Sequence, residues 1–149
     1  MIRLLEARDV DAILAIQSAS PEIAQWSAQD YARVARGEMT GWIAQETESE
    51  AITGFLIARQ VAGDLEILNL AVRPDARRRG IATELLRRSF AWGESVGATG
   101  ALLEVRSANS AALRFYAHHG FEVIGRRKRY YVSPVEDAFV LKVRLPQRS

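Results

Sequence analysis

Cysteine is absent from the 149-residue chain, and histidine occurs only at His118 and His119. Disulfides and thiolate chemistry are excluded outright, and a metal site is not expected because its usual ligands are missing. Proline is scarce, at four residues, and no linker, repeat or low-complexity run breaks the pattern. A single domain over 1–149 is expected, long enough to bury a core. No apolar run approaches the roughly 20 residues of a membrane span. The first ten residues, MIRLLEARDV, are too charged for a signal peptide. A cytoplasmic protein without a membrane role follows as the expectation.

Charge is present in both signs but unevenly spread. Residues 1–66 carry 5 basic and 11 acidic side chains, residues 67–149 carry 15 and 7, and the halves stand at −6 and +8. An anionic ligand would be drawn to the second half. Arginine supplies 18 of the 20 cations.

Hydrophobic spacing orders the elements. Residues 2–5 read as a short strand, and Asp9 opens a helix with Val10, Ile13, Leu14 and Gln17 at helical spacing. Ser27 with Asp30 resembles a capping box for a second helix ending near Arg36 and Gly37. Residues 41–46, 52–61 and 65–72 read as strands joined by polar turns. A helix from residue 81 carries Ile81, Ala82, Leu85, Leu86, Trp92 and Val96 as its buried stripe. Then come a strand at 101–106, a helix at 109–119 and two strands at 121–132 and 137–145. The order is α+β, with hairpins followed by a βαβ crossover at 65–106.

The stretch VRPDARRRGIATELL, residues 72–86, crowds three arginines against Gly80 at the mouth of a helix. A helix N-terminus leaves several amides unpaired and carries partial positive charge, so it suits an anion. The spacing excludes a Walker loop and a three-glycine dinucleotide fingerprint. What stands there is Arg77-x-x-Gly80-x-Ala82, directly after a strand ending in Ala71 and Val72.

That Gln/Arg-x-x-Gly-x-Gly/Ala pattern resembles the signature of the GNAT superfamily of N-acetyltransferases. The likeness continues through LEVRSANSAALRFYAHHGF, residues 103–121, and covers 65–144 in order. Within the superfamily, this stretch followed by RRKRYY and a late Glu136-Asp137 is similar to the bacterial ribosomal-protein-alanine N-acetyltransferases. The resemblance implies a mixed, mostly antiparallel sheet of about seven strands with about four helices. It implies acetyl-coenzyme A as cosubstrate and no metal. The pyrophosphate would lie on the amides of Arg78, Arg79, Gly80, Ile81, Ala82 and Thr83, with Arg77 adjacent. The pantetheine arm would pair with Leu70, Ala71 and Val72, and the Val72 amide would stabilise an oxyanion. Asn109 would cap the helix, hold the pantetheine, or do both. Which of the three arginines touches phosphate stays open, as does oligomeric state.

Glu104 lies in the apolar strand LLEVR. Burying its carboxylate is costly unless it is paired or used. One reading is an ion pair with Arg106, on the same strand face. The other, implied by the resemblance, is the general base that takes the amine proton, directly or through water. Tyr116, read alone, is core packing; the resemblance makes it the acid toward the coenzyme sulfur. The expected acceptor is the N-terminal α-amine of a protein, by resemblance the alanine terminus of a small-subunit ribosomal protein. A small-molecule or lysine amine is the alternative within the same fold. Trp26, Tyr131, Glu136 and Asp137 are candidates to meet the acceptor. A rival of another class is an RNA-binding module using Arg126–Tyr131. Against it, Tyr130 and Tyr131 are adjacent and would face opposite sides of a strand, one into the core. No direct nucleic-acid role is therefore expected.

Overall fold

Alternating apolar residues become seven strands, and the periodic stretches between them become four helices. The computed structural model describes residues 1–132 and 135–147. In chain order the elements are β1 (Ile2–Leu4), α1 (Val10–Ser18), α2 (Ala28–Ala35), β2 (Thr40–Gln45), β3 (Ile52–Val61) and β4 (Asp64–Val72). They continue with α3 (Ile81–Ser95), β5 (Gly100–Arg106), α4 (Ser110–His118), β6 (Glu122–Val132) and β7 (Val135–Arg144). The sheet order is β1-β2-β3-β4-β5-β7-β6. β4 and β5 run parallel, as the crossover requires, whereas β1–β2, β2–β3, β5–β7 and β6–β7 are antiparallel. The α+β sheet of about seven strands with four helices is thus present.

Two compact units divide the chain: Met1–Arg59 with Ile67–Trp92, and Gln60–Glu66 with Gly93–Ser149. The first holds a core of Leu5, Ile13, Ile16, Tyr31, Val34, Ile43, Phe55, Ile57 and Ala71. Each Leu, Ile, Val or Phe among them contributes about 1.5–3 kcal/mol when fully buried. Tyr31, within that core, donates its hydroxyl proton to Gln17 Oε1 and accepts from Asn69 Nδ2 at 3.0 Å. This pins Asn69, and so the middle of β4, to α1 and α2. The capping box of α2 forms as read: Asp30 N–H donates to Ser27 Oγ at 3.1 Å, and Ser27 N–H to Asp30 Oδ2 at 2.9 Å.

Asp9 precedes α1 but does not cap it with its side chain. Its buried carboxylate instead accepts two bonds from the Arg3 guanidinium, both at 2.8 Å, and one from Glu6 N–H at 2.8 Å. The α3 stripe also differs from expectation. Leu85, Leu86, Ser89 and Phe90 are buried, whereas Val96 is 41% exposed. The helix ends at Ser95, so Val96 falls in the following turn rather than on the buried face.

The second unit is built on β5 and β7, in register from Gly100↔Arg144 to Arg106↔Ala138. Ala101, Leu103 and Val105 of β5 and Leu141 of β7 share one face and are buried. The alternate residues of β5, Leu102, Glu104 and Arg106, are half-buried on the other face. Parallel pairing of β4 with β5 covers only Asp64–Glu66 against Gly100–Leu102.

Candidate active site

In the first unit, the Arg–Gly turn is built by the end of β4. Arg73 N–H donates to Thr53 O on β3 at 2.7 Å. Strand amides alternate in direction, so the Val72 N–H points to the opposite edge. A single 3-10 turn, Pro74–Ala76, then leads to Arg78 at φ +65° and Gly80 at φ +78°. Left-handed residues alternating in this way gather successive N–H groups into an anion-binding hollow. The α3 ladder begins with Glu84 N–H donating to Gly80 O at 3.0 Å, so the amides of Ile81 and Ala82 lie ahead of it. A Cβ at Gly80 would meet nothing within 4 Å. The space over the turn is open, and glycine is favoured there by its backbone angle.

The three arginines differ. Arg77 is bound back to its own chain, Nε to Val72 O at 3.3 Å and Nη2 to Ser20 Oγ at 3.3 Å, with Glu22 at 3.9 Å. Arg79 reaches Asp75 O at 3.2 Å and Glu46 at 3.8 Å. Arg78 is exposed, and its guanidinium takes no partner among the described residues. Leu70 is half-buried, Ala71 and Val72 are buried, and Ile81, Ala82 and Thr83 are half-buried in the first turn of α3. These open amides and this one unengaged cation fit the pyrophosphate that the motif implies. Trp26, also in this unit, packs on the core with its ring 5.3 Å from that of Tyr31.

The second unit carries a cluster of charged and phenolic groups. Glu104 pairs with Arg127 Nε on β6 at 3.0 Å, not with Arg106. Arg106 instead lies 3.4 Å from Glu136 Oε2 and stacks 4.1 Å above the ring of Tyr131. The register explains the exchange. Arg106 and Arg127 both align with Ala138 of β7, whose small side chain leaves the face above it clear for long neighbours. Tyr130 hydrogen-bonds the Glu104 carboxylate; that bond, and the charge behind it, hold the phenol above its ordinary pKa. Glu66, on β4, adds to the same effect. The Tyr131 phenol is also raised, first by burial and then by Glu104.

Both tyrosines therefore meet the Glu104–Arg106 face, with ring centroids 5.2 Å apart. The expectation that one enters the core is corrected. A bulge at 128–130 breaks the alternation of β6, and Tyr130 is 47% exposed. Glu136 accepts from Ala108 N–H at 2.7 Å, and Asp137 from Arg126 Nε and Arg129 N–H. Both carboxylates are thus engaged with their own chain.

Tyr116 is buried on α4, its ring 5.2 Å from Phe115 and 5.3 Å from Phe121. Burial pushes its phenol well above the ordinary range, so it stays protonated at neutral pH. Asn109 caps α4, accepting from Ala112 N–H at 3.1 Å. Sequence reasoning missed Arg127, Tyr130 and Glu66. The last was findable, because parallel pairing sets Glu66 opposite Leu102, two residues from Glu104.

Comparison with known proteins adds family evidence. Residues 7–121 match the model of the Acetyltransferase (GNAT) family. A ribosomal protein bS18-alanine N-acetyltransferase of Salmonella typhimurium is 33% identical over 97 residues, which cover 64% of this chain and 66% of that relative. The match thus spans just under two thirds of the relative's length. The crystal structure of the ribosomal-protein-S18-alanine N-acetyltransferase from Escherichia coli superposes with a TM-score of 0.83 at 27% identity, over 100% of this chain and 96% of that one. Arabidopsis thaliana NAA60, solved in complex with acetyl-CoA, gives a TM-score of 0.85 at 19% identity over 99% of each chain, a likeness of fold.

Proposed function

The chain belongs to the acetyltransferase (GNAT) family, and from that premise we propose that it moves acetyl from acetyl-coenzyme A to the N-terminal α-amine of a protein. The favoured acceptor is the alanine terminus of a small-subunit ribosomal protein; the Salmonella relative is named as a ribosomal protein bS18-alanine N-acetyltransferase and the E. coli one as a ribosomal-protein-S18-alanine N-acetyltransferase. The observation that carries the reading is Glu104: a half-buried carboxylate set beside a guanidinium and a phenol, with apolar neighbours Leu103 and Val105 on its strand.

Acetyl-coenzyme A supplies an activated acyl group and a thiolate leaving group. The first unit holds it: the Arg78–Ala82 amides and the Arg78 guanidinium take pyrophosphate, and Leu70–Val72 take the pantetheine amides. The Val72 N–H, directed away from β3, stabilises negative charge on the reacting carbonyl oxygen. In the second unit, Glu104 accepts the proton that the amine loses as the C–N bond forms. Tyr116 provides the proton that the sulfur takes as the C–S bond breaks. Asn109 steadies the turn before α4 and can also meet the pantetheine.

An α-amine has a pKa of about 7.7–8.0, against about 10.4 for lysine. A sizeable fraction is uncharged near neutral pH, so one carboxylate suffices as base. Tyr131 and, from the first unit, Trp26 remain proposed acceptor contacts; Glu136, tied to Arg106 and Ala108 N–H, is a weaker one. The test is mass spectrometry of matched peptides: one with a free alanine terminus, one blocked but holding an internal lysine, and a polyamine alongside. Acetylation of the free terminus is expected. Transfer only to the blocked peptide or the polyamine would replace this acceptor with the small-molecule or lysine alternative.

A further inference from the structure

The break in β6 sits opposite one residue. β6 and β7 are in register at Arg127↔Ala138 and again at Tyr131↔Glu136, so residues 128–130 stand against Asp137 alone. At the middle of this bulge Arg129 has φ +52°, a left-handed conformation uncommon for a residue with a Cβ. Asp137 holds it there. Oδ1 accepts from Arg129 N–H at 2.8 Å, and Oδ2 accepts from Arg126 Nε at 2.7 Å. Its main-chain carbonyl accepts from Ser107 N–H at 3.0 Å, which ties the bulge to the end of β5. The Arg129 amide bond is also the largest cause holding this carboxyl below the usual range, so it is charged at neutral pH.

A regular strand would send Tyr130 and Tyr131 to opposite faces. With the bulge, the Tyr130 ring lies 5.2 Å from the Arg127 guanidinium, which itself pairs with Glu104 at 3.0 Å, and Tyr131 lies under Arg106, two residues further along β5. Resting on the acetyl-transfer reading above, we propose that Asp137 is a positioning residue, whose carboxylate holds the 128–130 bulge that sets Tyr130 against Glu104 and Tyr131 against Arg106. Asp137 was a candidate for direct acceptor contact in the sequence; the geometry points to action through the backbone instead.

The decisive set is Asp137→Ala, Asp137→Asn, Arg129→Gly and the double variant Asp137→Ala/Arg129→Gly. Misplacing a group that flanks the base lowers kcat/KM for the acceptor peptide on the order of a hundredfold, so that loss is expected of Asp137→Ala. The melting shift given by acetyl-coenzyme A is expected to be unchanged. Asp137→Asn keeps an oxygen for the Arg129 amide and retains most activity. Glycine takes a positive φ without a Cβ penalty, so the double variant recovers most of the loss, and Arg129→Gly alone stays within a few-fold of wild type. Hydrogen exchange at the Arg129 amide reads the bulge without substrate: slow in wild type, fast in Asp137→Ala. Equal exchange in the two, or turnover of Asp137→Ala within a few-fold of wild type, would overturn the proposal. So would a loss that Arg129→Gly does not repair and that is confined to peptides with a basic second residue, since Asp137 would then touch the acceptor. A wild-type protein that acetylates none of the amines would instead remove the acetyl-transfer reading, and with it the catalytic consequence of the bulge.

Discussion

The two units solve different chemical problems with different parts of the chain. In the first, the proposed anion hollow is made of backbone: consecutive amides, two left-handed residues at 78 and 80, and the start of α3. Its side chains mostly brace the loop, as Arg77 does on Ser20 and Arg79 on Asp75. In the second, the working surface is made of side chains from separate strands: Glu66 from β4, Glu104 and Arg106 from β5, Arg127, Tyr130 and Tyr131 from β6. A backbone site tolerates change in most of its side chains and fails when a backbone angle is denied. A side-chain site fails when one group is lost or turned.

That contrast can be broken by single substitutions. The largest effect is expected of Tyr116→Phe in the second unit. Removing a general acid costs about a hundredfold to ten-thousandfold in turnover, with affinity for acetyl-coenzyme A little changed; steady-state kinetics beside a thermal-shift titration would show the split. Burial keeps this phenol protonated above its usual range, so wild-type turnover is expected not to fall as pH rises through about 10, the ordinary tyrosine value. Turnover of the variant within a few-fold of wild type would return Tyr116 to a packing role.

Next is Gly80→Val in the first unit. Nothing crowds a Cβ there, but a β-branched residue cannot easily hold φ +78°. Acetyl-coenzyme A at about 100 times its dissociation constant adds roughly 2.7 kcal/mol to the wild type. The variant is expected to fold and lose that gain; normal binding would contradict the phosphate hollow. The smallest effect distinguishes the arginines. Arg78→Gln removes the one unengaged guanidinium of the three and should weaken acetyl-coenzyme A binding by about tenfold, the worth of a charged hydrogen bond. Arg77→Gln should alter affinity less, since its partners are Ser20, Glu22 and Val72 O. Calorimetric titration of both variants decides it.

What could be read from the sequence follows the same division. The Arg–Gly turn lies within a dozen consecutive residues, so its spacing shows both the elements and the motif that carries the family resemblance. The capping box of α2 and the parallel crossover were legible for the same reason: each is local or follows from element order. The Glu104 surroundings were not. Pairing Glu104 with Arg106 respects strand parity, yet the register places Arg127 across Ala138 within 3.0 Å of that carboxylate. Parity also assigned one of the adjacent tyrosines to the core. The bulge that overrides it depends on Asp137, eight residues beyond Arg129 and on another strand. Val96 shows the converse error: its helical spacing continued, but the helix had already stopped at Ser95.

The most direct measurement is single-turnover acetyl transfer by Glu104→Gln, with acetyl-coenzyme A saturating and a free-alanine peptide as acceptor. Glutamine retains the shape and a carbonyl oxygen for Tyr130 while abolishing the base. If Glu104 takes the amine proton, the rate falls by about a hundredfold or more, most steeply at lower pH, where more of the amine begins protonated, and acetyl-coenzyme A binds as tightly as before. A rate within a few-fold of wild type would mean that Glu104 serves only its ion pair with Arg127.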